Sequence, residues 1–157
     1  MPEPSVTHSS FVIERTYPTT PARVFAAFSD PAKKQRWFAE GDEFQMESFA
    51  MDFRVGGREV TRFRSSHDSP IEGASLENQT CYQDIVPDSR IVLAYTMAIA
   101  ERRISASLAT FEILPTADGT KLIFTEQAAF FENSDGAEMR KFGWTELLNQ
   151  LGKELAS

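Results

Sequence analysis

The chain has 157 residues and a formal net charge of −7 at pH 7, with one cysteine, Cys81. This length predicts a single domain over residues 1–157, with a flexible segment at 1–9, because it is sufficient to bury one apolar core. The negative charge and the lack of a basic run disfavour nucleic acid and anionic membranes as partners. A lone cysteine excludes an internal disulfide, and residues 1–10 lack the apolar centre of a signal peptide, so we expect a cytoplasmic location and no membrane span.

The first third of the chain predicts one strand followed by two short helices. Alternating apolar residues indicate a strand over 11–17. Thr20-Pro21 and Asp30-Pro31 each place an N-cap residue before a proline at the first helical position, so we expect a helix to begin at both sites. The second helix carries Trp37 and Phe38.

The middle of the chain predicts a series of β-strands. A period of two replaces the helical spacing after residue 43. Pro87 and the pair Asp118-Gly119 favour tight turns between neighbouring strands, which indicates an antiparallel meander. Residues 65–79 are polar and predict a loop. The predicted strands cover 44–53, 59–64, 80–86, 90–97, 104–114 and 121–131.

Residues 135–156 predict one long amphipathic helix, because their apolar side chains fall on a stripe roughly 140° wide. Asp135 and Glu138 have the spacing of a capping box. Gly143 lies in the stripe, and a glycine there indicates the close approach of another backbone. One strand, two helices, about six strands and a long helix define the α+β class, in which the sheet is expected to receive the stripe.

Arg140 also lies in the apolar stripe, near the start of this helix. A guanidinium in such a place must either reach water past the helix end or find a partner carboxylate. The sequence favours the first alternative, since long basic side chains commonly extend their charge to solvent.

The sequence predicts no metal site and no cofactor. A metal site needs three or four ligands at defined spacing, whereas His8, His67 and Cys81 lie far apart. A nucleophilic triad needs a histidine beside the nucleophile in a formed pocket, and neither histidine has that context. The pair Gly56-Gly57 lacks the spacing of a phosphate-binding loop and indicates a turn.

Two charged residues lie in the apolar phase of their predicted strands. Glu126 shares a face with Leu122 and Phe124, and Arg15 follows Ile13 on the same face. Both are therefore expected to point into the interior, where they would pair or shift in pKa. The alternatives are a purely structural ion pair and a register change that sends Glu126 to solvent.

Aromatic and basic residues supply further candidates. Tyr82 and Tyr95 could each offer a phenol to a ligand carbonyl, or simply form cavity wall. Arg62 and Arg64 could meet a ligand carboxylate, or belong to a solvated sheet surface. Trp37 and Trp144 are interpreted as packing residues, although a cavity would let them stack on a ligand as well; Trp144 belongs to the long helix.

Several segments, in the same order, resemble the START-like (SRPBCC, helix-grip) superfamily in its heat-shock-protein-90 ATPase-activator-homologue branch. The resemblance extends from about residue 11 to residue 155. The segments that carry it are Glu14-Arg15, Pro21-Ala22-Arg23-Val24-Phe25, Asp30-Pro31, Trp37-Phe38, Asp52-Phe53-Arg54-Val55-Gly56-Gly57, Tyr82-Gln83-Asp84-Ile85-Val86-Pro87, Gly119-Thr120, Phe124-Thr125-Glu126-Gln127 and Gly143-Trp144 with Leu147, Leu148 and Leu151.

The resemblance implies a curved antiparallel sheet of about six or seven strands around the C-terminal helix, with a cavity between them that the two short helices close at one end. Relatives bind apolar or amphipathic small molecules there, and a few carry out cyclase or aromatase chemistry on polyketide-like substrates. The eukaryotic namesakes stimulate a chaperone ATPase. Because this chain lacks their additional N-terminal domain, a chaperone partner is disfavoured.

Three functional hypotheses follow. The first is a small-molecule-binding domain; the second is a cyclase or dehydratase with Glu126 as acid or base. The third is a protein-interaction module of the chaperone-activator type, which requires an exposed apolar patch. A homodimer stays open in all three. The predicted ligand-binding residues are Arg15, Trp37, Tyr82, Tyr95, Phe124, Glu126, Arg140 and Trp144.

Overall fold

The computed structural model describes residues 3–40, 44–65 and 74–157, which form a curved antiparallel sheet and three α-helices. Asp30-Pro31 ends one helix and begins the next, and a π-helical turn, here called the π segment, follows directly. In chain order the elements are β1 (Val6–Tyr17), α1 (Pro21–Ser29), α2 (Pro31–Lys34), the π segment (Gln35–Ala39), β2 (Phe44–Met51), β3 (Arg58–Ser65), β4 (Ser75–Val86), β5 (Arg90–Ile99), β6 (Arg102–Thr116), β7 (Gly119–Phe131) and α3 (Gly136–Ala156).

The seven strands lie in the order β1-β7-β6-β5-β4-β3-β2. Strands β2 to β7 form a meander of consecutive antiparallel neighbours, whereas β1 pairs with β7 at the far edge. The chain therefore crosses from one edge of the sheet to the other through α1, α2 and the π segment. The predicted α+β class, the helix-grip arrangement and the number of strands are confirmed.

Both predicted helix starts have the expected capping geometry. The Thr20 hydroxyl accepts a hydrogen bond from the backbone N–H of Arg23. One Asp30 oxygen accepts from the backbone N–H groups of Ala32 and Lys33. These bonds satisfy N–H groups that have no partner within the first helical turn.

Two predicted strand boundaries are wrong. Strand β1 begins at Val6, because residues 6–10 continue the ladder with 127–131 of β7. Strand β4 begins at Ser75, inside the predicted loop of residues 65–79, because its first residues pair with the end of β3. Residues 66–73 of that predicted loop, including His67, lie outside the described residues.

Aromatic rings fill the space between the sheet and α3. The ring of Phe111 stacks on that of Phe124 with 4.8 Å between centroids, and the Trp144 ring lies 4.5 Å from Phe124. Phe28 of α1 reaches the same group, 4.9 Å from Phe111. Apolar burial of this kind is the main contribution to folding, at about 25 cal/mol per Å². The core thus joins α1, the sheet and α3.

Helix α3 differs from its prediction at two points. Gly143 is exposed, and an added Cβ atom would meet nothing within 4 Å, so the predicted close approach of a backbone is wrong. Asp135 makes no side-chain capping bond, so the predicted capping box is wrong as well. Its carboxylate binds Arg140 instead. The apolar stripe itself is present, with Trp144 and Leu148 among its buried residues.

Replacing the exposed helical Gly143 with alanine should stabilise the protein by about 1 kcal/mol, since glycine costs that much within a helix and the new methyl group meets no neighbour. Urea denaturation measures the change. Gly119→Ala is the matched control, because its Cβ would lie 2.2 Å from the Tyr17 carbonyl oxygen and must therefore destabilise the fold. A destabilised Gly143→Ala protein would contradict the exposed position of this residue.

Candidate functional site

Polar side chains lie across the inner face of the sheet, the face that α3 covers. Register pairs Thr61 of β3 with Asn78 of β4, and Tyr95 of β5 with Ser107 of β6. Glu126 lies on the same face of β7. These five residues are called the polar belt below. Within the described residues, the buried side-chain atoms without a hydrogen-bond partner all belong to it: Thr61 Oγ1, Asn78 Oδ1, Ser107 Oγ and Glu126 Oε2.

Arg140 connects α3 to the polar belt. It is only 4% exposed, and its Nε and Nη2 atoms donate to the two oxygens of Asp135 at 2.8 Å each. Nη2 also donates to Ser105 Oγ at 2.9 Å, and Nη1 to the Tyr95 hydroxyl at 3.1 Å. The favoured expectation that Arg140 reaches water is therefore wrong. Asp135, five residues earlier, supplies the partner carboxylate of the other alternative.

The Tyr95 hydroxyl has its full complement of hydrogen bonds. It accepts from Arg140 Nη1 and from Trp144 Nε1, at 3.1 Å each, and donates to Glu126 Oε1 at 2.5 Å. A phenol has one proton and two lone pairs, so these three bonds fix its orientation. Burial raises the pKa of Tyr95 above its ordinary value, which keeps the proton on the phenol. The group is thus a donor to Glu126.

Glu126 is fully buried, and its two carboxylate oxygens have different surroundings. Oε1 accepts the Tyr95 bond, whereas Oε2 has no hydrogen bond and lies 3.7 Å from Arg140 Nη1. Burial raises the pKa of the Glu126 carboxyl, against the lowering effects of the Tyr95 bond and the Arg140 charge. A carboxyl of this kind can bind a ligand or exchange a proton with one.

Arg15 does not join this group, and the predicted pairing of Arg15 with Glu126 is wrong. In the ladder Phe11 stands opposite Glu126, whereas Arg15 stands opposite Leu122. Four strand residues separate these positions by about 13 Å. Arg15 is half-buried and donates to the backbone oxygen of Glu14 at 2.9 Å. The cation beside Glu126 is Arg140 of α3 instead.

A second buried ion pair lies where α2 meets the sheet. Lys34 Nζ is 3.0 Å from Glu59 Oε1, and their residues are 4% and 2% exposed. The same Glu59 oxygen accepts from the Tyr82 hydroxyl at 2.5 Å. The Lys34 ammonium also lies 4.6 Å from the centre of the Phe38 ring, a favourable cation–π distance. This cluster fastens α2 and the π segment to β3 and β4.

The other predicted residues have structural partners. Trp37 is buried and donates from Nε1 to the Ala27 carbonyl at 2.8 Å. Phe124 and Trp144 belong to the aromatic core, and Tyr82 is engaged by Glu59. Arg62 pairs with an acidic side chain at the surface, as its alternative interpretation stated; its Nε atom lies 2.9 Å from Glu77 Oε2.

The sequence interpretation missed several polar residues of the interior. They are Lys34, Glu59, Ser105 and three members of the polar belt, Thr61, Asn78 and Ser107. The alternation rule that selected Glu126 would also have selected Glu59, which shares the buried phase of β3 with Thr61. No comparable signal exists for Lys34, because a helix of four residues is too short for a periodic pattern.

Open depressions occur on the surface, away from the space between the sheet and α3. One of about 570 Å³ involves His8, Ser10 and Ala106, and another of about 200 Å³ lies beside Arg36 and Glu154. The predicted apolar cavity is not confirmed, since rings occupy the interior. Among residues 3–40, 44–65 and 74–157, no three His, Cys, Asp or Glu side chains are grouped to hold a metal ion. Within the same ranges no helix combines the length and the apolar character needed to cross a bilayer.

A curved seven-stranded sheet around a C-terminal helix, with two short helices after the first strand, defines a START-like, helix-grip protein. The chain belongs to the family described as Activator of Hsp90 ATPase homolog 1-like protein, whose sequence model matches residues 18–156. No curated protein matches the chain significantly.

Solved structures of related proteins agree with this assignment. An uncharacterized protein from Rhizobium leguminosarum is 37% identical, with a TM-score of 0.91 and 99% of both chains covered. A protein from Rhizobium loti is 49% identical, with a TM-score of 0.85 and coverage of 96% of this chain and 99% of that one. An AHSA1-like protein from Aeromonas hydrophila, at 15% identity, a TM-score of 0.68 and coverage of 94% and 92%, shows the shared fold.

Breaking the buried pair by Lys34→Met should cost about 3–5 kcal/mol of unfolding free energy, because Glu59 is left as an unpaired buried charge. Replacing both partners, in Lys34→Met/Glu59→Leu, should cost clearly less than Lys34→Met alone. Arg62→Met is the matched control at an exposed ion pair and should cost less than about 1 kcal/mol. Equal losses for Lys34→Met and Arg62→Met would contradict the burial of Lys34; urea denaturation gives all three values.

The raised pKa of Glu126 predicts a pH-dependent difference between wild type and Glu126→Gln. The folded state holds this proton more tightly than the unfolded state. The unfolding free energy of wild type, measured relative to that of the variant, is therefore greatest below the ordinary glutamate pKa of about 4.3. This difference falls as pH rises through the raised pKa of the folded state. The slope is at most about 1.4 kcal/mol per pH unit. Denaturation from about pH 4 to about pH 8 tests this, and a pH-independent difference would contradict it.

Proposed function

We propose that this protein binds an amphipathic small molecule between the inner face of the sheet and α3, with the polar part of the molecule at the polar belt. The observation that carries the proposal is the placement of four unpaired polar atoms on one buried face. Buried polar groups in folded proteins almost always have partners, so such a concentration requires an explanation.

The energetic cost of the unpaired atoms supports binding over a purely structural role. Each buried polar group without a partner costs about 1–3 kcal/mol. An apolar residue such as valine in place of Thr61 would avoid that cost at almost the same volume. A ligand that donates to Glu126 and exchanges hydrogen bonds with Ser107 or Asn78 would supply the missing partners.

Entry of the ligand requires a movement of aromatic rings, because the interior is filled. Phe38 of the π segment lies 6.1 Å from Trp144 and 6.5 Å from Phe63, so its ring separates α3 from β3. A π-helical turn is a strained local conformation that often occurs at functional sites. A shift of the π segment would open a path to the polar belt while the Lys34–Glu59 pair keeps α2 in place.

One observation favours a second candidate function, an enzyme of the cyclase or dehydratase type. Efficient acid–base catalysis needs a group whose pKa lies near the working pH, and burial moves the Glu126 carboxyl in that direction. In this case Glu126 would transfer a proton to or from the bound molecule. Turnover that survives Glu126→Gln would exclude this role.

Nile red, a neutral dye that emits strongly in apolar surroundings, tests the binding proposal. We expect saturable binding of one dye per chain, and release of a small molecule in near-stoichiometric amount when the purified protein is extracted and analysed by mass spectrometry. Thr61→Val should raise the unfolding free energy by about 1 kcal/mol by removing an unpaired hydroxyl, yet weaken binding of the extracted molecule. Arg62→Met is the surface control. Absence of both dye saturation and an extractable molecule would defeat the proposal.

A further inference from the structure

The two buried carboxylates on the inner side of the sheet, Glu59 and Glu126, are compensated unequally. Lys34 is paired with Glu59, and Arg140 is paired with Asp135 through two hydrogen bonds. Glu126 is the other buried carboxylate, and its nearest cation in the described structure, Arg140 Nη1, lies 3.7 Å from Oε2 and makes no hydrogen bond to it. Because Arg140 donates its N–H groups to the solvent-accessible Asp135 and to two hydroxyl groups, Glu126 is the less compensated of the two carboxylates, and a buried charge without a hydrogen-bonded partner is costly.

We propose that the polar group of the ligand is a protonated amine, which binds Oε2 of Glu126 and compensates this charge. The inference rests on the binding function proposed above and specifies the chemical class of the ligand.

The hydrogen bonds around Glu126 define an acceptor for such a group. Tyr95 donates its hydrogen bond to Oε1 at 2.5 Å, so this oxygen already has a donor. Oε2 is the acceptor left unused. Arg140 Nη1, at 3.7 Å, is beyond hydrogen-bond distance, and this guanidinium donates instead to Asp135, Ser105 and Tyr95.

The surroundings of Glu126 suit a cation in other respects. Phe11 of β1 stands opposite it, Ala109 of β6 pairs with it, and Trp144 of α3 lies against Phe124. The Phe11 and Phe124 rings meet edge to face, 6.1 Å apart. Aromatic rings attract an ammonium group electrostatically, most strongly where water is excluded.

An anionic ligand lacks a corresponding partner. Both interior cations, Lys34 and Arg140, are already bound to carboxylates, and Glu126 would repel a second negative charge. The net charge of −7 also favours the approach of cationic molecules over anionic ones.

Three ligands that share one ring system separate the alternatives: naphthalene-1-methylamine, naphthalene-1-methanol and naphthalene-1-carboxylate. At neutral pH they present a cation, a neutral hydroxyl and an anion. We expect the amine to displace Nile red from wild type at a concentration about tenfold lower than the alcohol requires, as for a hydrogen bond to a charged group, and the carboxylate to bind weakest.

Glu126→Gln retains the shape of the side chain and removes its charge. In this variant the amine and the alcohol should bind with equal affinity, while the affinity of the alcohol changes by less than about threefold. The pH dependence of binding to wild type tests the same contact without a variant, so the test does not depend on whether Glu126→Gln folds. Amine binding should weaken as pH falls through the pKa of Glu126, whereas alcohol binding should not change.

Tightest binding by the carboxylate, a preference for the amine that persists in Glu126→Gln, or amine binding that does not depend on pH would each overturn the inference. So would Nile red binding that none of the three naphthalenes can displace; in that case the binding function itself still stands. If wild type binds neither Nile red nor any naphthalene, the proposed function and the inference fall together.

Discussion

The guanidinium of Arg140 joins parts of the molecule that are distant in sequence. It holds Asp135 at the start of its own helix, Ser105 on β6 and Tyr95 on β5, and through Tyr95 it fixes the position of Glu126. A lysine could not reproduce these contacts, because a single ammonium cannot engage two carboxylate oxygens and two hydroxyl groups in one plane. The N-terminal end of α3 and the polar belt therefore depend on one side chain.

The two buried charge clusters lie on either side of the aromatic core and act on different elements. The Arg140 cluster fixes α3 against β5 and β6, whereas the Lys34–Glu59 pair fixes α2 against β3. Between the two clusters, Phe38 and Trp144 contact each other ring against ring, with 6.1 Å between centroids. The charged groups thus define where the helices sit, and the apolar contacts between them leave room for adjustment. This division is compatible with a closed interior that admits a ligand.

The fold followed from the sequence more fully than the site did. Caps at Thr20 and Asp30, alternation in the strands and a helical stripe are local signals, and each specifies its own element. The partner of Glu126 could not be obtained in this way, because alternation reports which face a residue occupies and not which residue lies across from it. Arg15 and Arg140 were both candidates in sequence. The register of β1 with β7 and the docking of α3 decided between them, and both are long-range features.

The pairing of β1 with β7 also affects the order in which the structure can form. Val6 lies beside Phe131, and the Tyr17 hydroxyl donates to the Leu148 carbonyl, so the first strand finds its partners near the end of the chain. Contacts of such large sequence separation form late and slowly. During synthesis on the ribosome the meander can assemble as it emerges, while β1 stays without its neighbour until β7 has been made. Since the hydrogen-bonded partners of β1 in other elements all come from residues 119–148, the pairing of this strand and the docking of α3 are coupled through the Tyr17–Leu148 bond.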